Sequence, residues 1–219
     1  MPNPARNDPT FIAIEGVIGV GKSTLARRLA ERFQARLVLE EVEENPFLAN
    51  FYRDRRRYAF QCQLFFLLSR YRQQRSLSQP DLFERRTICD YLFRKDRIFA
   101  LLNLDESEMA LYDEIWPLLE RELPRPDRVV YLQASLDTLL RRIDQRGRDF
   151  ERGLDPDYLK ELSESYNRFF FHFEDAPLLV VNTDAIDFVS NPDDLDDLVR
   201  RIREQTTGTL YYSPIGGGR

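Results

Sequence analysis

Phe11-Ile12-Ala13-Ile14-Glu15-Gly16-Val17-Ile18-Gly19-Val20-Gly21-Lys22-Ser23-Thr24 decides how the rest of the chain is read. An apolar run ends in a glycine-rich turn, and a helical pattern follows from Thr24 to Arg32. Gly16 to Ser23 matches G-x-x-x-x-G-K-[ST], the loop whose backbone N–H groups wrap phosphate oxygens. In such a loop the lysine puts a point charge on the outer phosphates, and the following hydroxyl ligates Mg²⁺. The helix adds its positive dipole end to the same anion. The stretch therefore predicts a nucleotide-phosphate site made of Gly16, Gly19, Val20, Gly21, Lys22, Ser23 and Thr24, with Ser23 on the metal.

Outward from this loop, short apolar runs alternate with longer helical patterns. Leu37-Val38-Leu39, Thr87-Ile88-Cys89, Val129 to Leu132 and Leu178 to Val181 read as four more strands. Continuous apolar runs suit strands covered on both faces, hence a parallel sheet. Asn45-Pro46, Asp155-Pro156 and Asn191-Pro192 each pair a capping residue with proline at a helix start. A long helix is expected from Arg55 to Gln74, with Tyr58, Gln61, Leu64, Phe65, Leu68 and Tyr71 at helical spacing. Further helices are expected from Glu106 to Arg121, Leu136 to Arg146 and Tyr158 to Phe173. The result is one α/β domain over residues 1–219, a five-stranded parallel sheet flanked by helices. Residues 1–9 and 208–219 read as loose tails. Ligands of such sheets bind beyond the carboxyl ends of the strands.

Composition narrows the class. A net charge of −5 argues against a general nucleic-acid binder. No apolar run approaches the ~20 residues of a membrane helix, and the polar start MPNPARNDPT is no signal peptide. Cys62 and Cys89 lie within apolar runs and read as reduced core residues of a cytoplasmic protein. The single histidine, His172, follows three phenylalanines and reads as a core or helix-face residue, not a catalyst. Only Lys22, Lys95 and Lys160 are lysines, so one at position 22 stands out.

The loop alone does not fix the reaction. N-K-x-D is absent, and the only D-x-x-G, Asp144 to Gly147, falls inside a helical arginine cluster. This sets aside a switch GTPase. The second strand runs into Glu40-Glu41-Val42-Glu43-Glu44. An acidic run is usually a solvated surface. Glu40, however, stands at a strand end beside the phosphate loop, read as on an adjacent strand. There a carboxylate can accept the proton of a hydroxyl that attacks a γ-phosphate.

Phe11 to Gly16 leading into the loop, then Glu40 to Pro46, then Tyr58 to Arg72, resembles the deoxynucleoside kinase family, and within it the bacterial deoxyguanosine and deoxyadenosine kinase branch. The resemblance runs from about Phe11 to Ile202. It implies the family's phosphate-loop kinase fold with an arginine-rich lid, ATP as donor, Mg²⁺, a small deoxynucleoside substrate, nucleotide salvage and a homodimer. It implies Glu40 as the base on the 5′-hydroxyl, Tyr52 on the 3′-hydroxyl, and Gln63 and Arg70 as base readers. Gln63 and Arg70 are two turns apart and share a helix face. The resemblance puts Asp90 beside Mg²⁺, where Tyr91 replaces the arginine that many relatives carry. It makes Asp96 a base reader that works with Gln63 and Arg70, and Phe99 a stacking ring; an aspartate accepting from an exocyclic amine would favour adenine, guanine or cytosine over thymine. It implies Arg146 and Arg148 as lid residues over the transferred phosphoryl group. Glu151 would join Tyr52, and Asp187 and Phe188 would lie against the ATP adenine.

Two other readings remain. A thymidylate-type monophosphate kinase should present an arginine after the second strand, where this chain has Glu40 to Glu44. A non-catalytic ATP-binding module would leave Glu40 and a lid without a task. The helix faces near Leu64 to Leu68 and Leu101 to Leu111 could form a dimer interface or belong to the core.

Overall fold

The computed structural model describes residues 8–78, 86–151 and 153–213. Phe11 to Gly16 has no exposed side chain and forms β1 (Phe11–Gly16) at the middle of the sheet. The other strands are β2 (Arg36–Val38), β3 (Thr87–Cys89), β4 (Arg128–Gln133), β5 (Leu178–Asn182) and β6 (Thr209–Tyr212). Their order is β2-β3-β1-β4-β5-β6, and every pairing is parallel.

Six strands, not five, form the sheet among the described residues. The sixth lies in the stretch read as a loose tail. Its signal is short, but it is an edge strand: Tyr212 is buried, while Thr209 and Tyr211 face out. The Arg201 guanidinium lies 3.9 Å from the Tyr212 ring centroid and closes that edge. Residues 1–7 and 214–219 of the two expected tails lie outside the described residues.

The helices are α1 (Lys22–Phe33), α2 (Leu48–Arg53), α3 (Arg55–Arg75), α4 (Asp96–Asn103), α5 (Glu106–Glu120), α6 (Leu136–Arg146), α7 (Pro156–Phe171) and α8 (Pro192–Glu204). Asp105 caps α5 in a capping box with Glu108. Asp155 and Asn191 cap α7 and α8, each followed by proline in the first turn. Asn45 behaves differently. Its carboxamide nitrogen donates to the Cys62 carbonyl at 3.1 Å, and its oxygen accepts from the Phe47 amide at 3.0 Å. This turn delays α2 until Leu48.

The main core lies on the faces of β1, β4 and β5, packed by α1, α6, α7 and α8. Cys62 and Cys89 are free and buried. His172 caps the C-terminal end of α7 and is exposed, not core. On α3 the buried face is offset from the apolar one. Ala59, Cys62, Gln63, Leu67, Arg70 and Gln74 point inward. Gln61 and Leu68 from the expected stripe are exposed. Gln63 and Arg70 can be buried because carboxylates await them inside. No helix among the described residues is long and apolar enough to cross a membrane.

Candidate active site

The β1–α1 loop is fixed by steric limits. Gly16 holds φ at +149°, and a Cβ there would stand 2.5 Å from the Leu132 carbonyl oxygen. Gly19 holds φ at +87°, where a Cβ would meet Ile143 Cγ1 at 2.7 Å. From α6, Arg142 donates to the Val20 carbonyl at 3.0 Å and to the Thr183 hydroxyl at 2.9 Å. It thus ties the loop to the end of β5.

At the carboxyl edge, two cavities meet. The outer one is lined by Gly19 to Thr24, Thr183, Asp184 and Ile186 to Val189. It therefore holds the phosphate loop together with Asp187 and the Phe188 ring. The inner one is walled by Glu40, Tyr52, Gln63, Arg70, Asp90, Phe99 and Glu151. Lys22, Ser23, Arg146 and Arg148 line both. A phosphate donor and an acceptor could therefore face each other across these four residues.

Glu40 does not sit on a strand adjacent to the loop. β3 lies between β2 and β1, and Asp90 at the end of β3 bridges the gap. One Asp90 oxygen accepts from the Glu40 amide at 2.7 Å. The other accepts from the Ser23 hydroxyl at 2.5 Å. Asp90 thereby sets the loop hydroxyl and the Glu40 backbone in one frame.

The Glu40 carboxylate accepts from Arg70 Nε at 2.7 Å and from Lys95 Nζ at 2.7 Å. Burial acts to raise its pKa, but Arg70 and Lys95 outweigh it and hold the group well below the usual carboxylate range. Of the other three acids, Glu41, Glu43 and Glu44 are exposed. Glu43 faces Arg148 at 3.4 Å, so the acid run also touches the arginine segment.

Asp96 departs from its expected place. It is 0% exposed and lies behind Gln63 and Arg70, not on the cavity wall. Its carboxylate accepts from Gln63 Nε2 at 2.6 Å and Tyr112 Oη at 2.8 Å, and pairs with Arg70. With three donors at that carboxylate, it holds Gln63 and Arg70 in place on the wall. Burial raises its pKa against the Arg70 charge.

Glu151 is gripped by Arg146, whose Nη2 lies 2.6 Å from each carboxylate oxygen. Tyr52 stacks on Phe150, one residue earlier, with ring planes 8° apart. Phe99 packs edge-on to Tyr166 at 6.1 Å. Ser23 and Asp90 offer a hydroxyl and a carboxylate side by side. These hard oxygen donors suit Mg²⁺, which usually takes one or two protein ligands and fills its shell from phosphates and water.

The sequence reading assigned no role to three groups here. Lys95 is buried on Glu40, with Nζ 4.0 Å from Glu15 Oε1; its signal was the scarcity of lysine. Glu15 is fully buried and accepts from the amides of Leu92 at 2.6 Å and Gly16 at 3.0 Å. A lone acid inside an apolar strand run was the available clue. Asn103 lines the inner cavity and had no sequence signal.

A model described as deoxynucleoside kinase matches residues 12–207. The chain belongs to the deoxynucleoside kinase family. It is 38% identical to the deoxyguanosine kinase of Bacillus subtilis (strain 168), over 90% of this chain and 98% of that one. It is 31% identical to the deoxyadenosine/deoxycytidine kinase of the same organism, over 88% of this chain and 91% of that one. Among solved structures, deoxyadenosine kinase from M. mycoides with bound dATP superposes with a TM-score of 0.75 at 26% identity. That match covers 88% of this chain and 98% of the other. The protein is therefore a phosphotransferase that makes a deoxynucleoside monophosphate, with ATP implied as donor.

The family loop carries a titration of its own. Burial and the nearby Lys95 charge lower the Lys22 pKa to about 8, against the pull of Glu15 and Glu40. Lys22 serves phosphates only as a cation. Hence kcat/KM for ATP should fall about tenfold per pH unit above pH 8. Bound phosphates raise the same pKa, so kcat should hold to higher pH. Burial pushes the nearby Tyr52 and Tyr166 upward, and pushes Tyr158 and Cys62 up to about 12. None of them would mimic this limb. A kcat/KM that stays flat to pH 9.5 would refute the assignment.

Proposed function

We propose that the chain transfers the γ-phosphoryl group of ATP to the 5′-hydroxyl of a purine deoxynucleoside, deoxyguanosine first and deoxyadenosine second. The carrying observation is Glu40, ionised and fixed by two cations, facing the cavity that shares Lys22, Ser23, Arg146 and Arg148 with the phosphate loop. The nucleoside occupies the inner cavity, with its base toward Gln63 and Phe99 and its sugar toward Tyr52 and Glu151. The triphosphate lies along the loop, with its adenine against Asp187 and Phe188.

The 5′-oxygen attacks the γ-phosphorus in line as the bond to the β,γ-bridging oxygen breaks. Glu40 accepts the hydroxyl proton, and ADP leaves. A carboxylate paired so strongly is a weak base at rest, so the proton moves late, once the oxygen has begun to bond phosphorus. Lys22 and the loop amides hold the donor. Arg146 and Arg148 bring positive charge to the equatorial oxygens. Lys95 acts as a positioning residue that fixes Glu40, where Tyr91 has replaced an arginine. Tyr91 itself donates to Gln73 at 2.9 Å and lies within the fold. Ser23 and Asp90 would hold Mg²⁺, which when bound neutralises phosphate charge.

Exposed apolar side chains support a homodimer. Leu101 is 64% exposed and Leu118 55%, with Leu68 and Leu111 also open. Two free buried thiols are in keeping with a reducing cytoplasm. The test is ATP-dependent phosphorylation of the four deoxynucleosides, with ribonucleosides and deoxynucleoside monophosphates alongside. Deoxyguanosine is expected to give the highest kcat/KM. Turnover of a monophosphate alone would sink the Glu40 role and favour the thymidylate-type reading.

A further inference from the structure

Resting on the deoxynucleoside kinase reading, the geometry points to Asn103 as a second base-reading residue, whose carboxamide oxygen accepts from the 2-amino group of guanine. Asp96, Phe99 and Asn103 stand at i, i+3 and i+7 on α4 and so share one helix face. Phe99 and Asn103 line the inner cavity, and Asp96 holds Gln63 onto the same wall.

The orientation of both amides is forced by what they touch. Asn103 Nδ2 donates to the Phe99 carbonyl at 2.9 Å and to the Tyr158 hydroxyl at 3.2 Å. A carbonyl can only accept, so the nitrogen must face it, which leaves the oxygen as the unengaged polar atom of a side chain that lines the cavity. Gln63 Nε2 donates to the Asp96 carbonyl at 2.8 Å and to its carboxylate at 2.6 Å. Both partners are acceptors, so Oε1 is the polar atom that Gln63, also a lining residue, has left to offer.

The third polar group of this wall commits three of its five N–H donors to carboxylates. Arg70 spends Nε and Nη2 on Glu40 and Nη1 on Asp96. The amide groups therefore present two acceptors. Guanine offers neighbouring donors, its ring N1–H and its 2-amino group. Adenine offers one amine beside a bare ring nitrogen, whose lone pair would face a carbonyl oxygen. An acceptor pair thus matches guanine and leaves adenine partly unmet. Tyr158 keeps Asn103 in place. It is itself held by Arg55, whose guanidinium lies 4.4 Å from the Tyr158 ring centroid.

The test compares deoxyguanosine with deoxyinosine, which differs only in lacking the 2-amino group. The unmodified protein should favour deoxyguanosine by about 10- to 100-fold in kcat/KM, the scale of one unmet buried hydrogen bond. In Asn103→Leu, which keeps the branched side-chain shape and removes both polar atoms, the ratio should fall to within about threefold. A thermal melt of the variant alongside the unmodified protein reports that it folds. A second pair, 2,6-diaminopurine deoxyriboside against deoxyadenosine, should show the same gain from the 2-amino group and the same loss in the variant. An unchanged deoxyguanosine-to-deoxyinosine ratio in Asn103→Leu would overturn the inference. So would an unmodified protein that treats the two nucleosides alike; that result leaves the kinase reading intact. Failure to phosphorylate any deoxynucleoside would overturn both.

Discussion

Replacing Glu40 with glutamine is expected to lower kcat by about 10²–10⁴-fold, the range for loss of a positioned general base, with ATP binding retained. The geometry separates the two effects. Glu40 lines the inner cavity only, while the loop residues Gly19 to Thr24 line the outer one. The variant leaves Arg70 and Lys95 facing an uncharged amide, so it should also melt at a lower temperature. Binding of a non-hydrolysable ATP analogue controls for that loss. The pH profile adds a second readout. The wild-type carboxyl is held well below the usual range, so activity should show no acidic limb near pH 4.5 from this residue. An intact kcat in Glu40→Gln would remove it as the base and leave it a structural counter-ion to Arg70.

Much of this site was legible because phosphate chemistry leaves a strict sequence trace. Gly16 and Gly19 must be glycine where a Cβ would strike Leu132 or Ile143, and the lysine–serine pair follows at fixed spacing. The capping pairs at Asp155-Pro156 and Asn191-Pro192 are equally local signals, and both stand at helix starts. What stayed hidden depends on contacts between distant segments. No local pattern shows that β3 separates β2 from β1, so Glu40 read as nearer the loop than it is. Asp96 read as a direct base contact because a motif does not reveal depth; Tyr112, Gln63 and Arg70 already surround it. The inward face of α3 misled for a related reason. An amide and a guanidinium are buried there, since their partners come from α4 and the end of β2. The edge strand Thr209–Tyr212 was short and preceded by Gly208, which gave it the look of a tail.

Lys95→Met is expected to change two quantities that a merely structural lysine would leave coupled. Its ammonium lies on Glu40 and near Glu15, and its charge is one of the causes that lower the Lys22 pKa. Removing it should free Glu40 to rotate, so kcat should drop by about 10- to 100-fold through lost alignment. The same change removes a repelling neighbour from Lys22. The alkaline limb of kcat/KM for ATP should then move above pH 8, since the Lys22 pKa rises when a nearby cation is lost. Slower chemistry with an extended alkaline range for ATP is hard to obtain from partial unfolding, which would lower both. Lys95→Arg should restore the limb near pH 8 and part of kcat, because it returns the charge with a longer, forked head. A variant that loses kcat while its alkaline limb stays fixed would show that Lys95 supports the fold without acting on the phosphate-loop lysine. With kcat also unchanged, Tyr91 would stand as a replacement that needed no compensating cation.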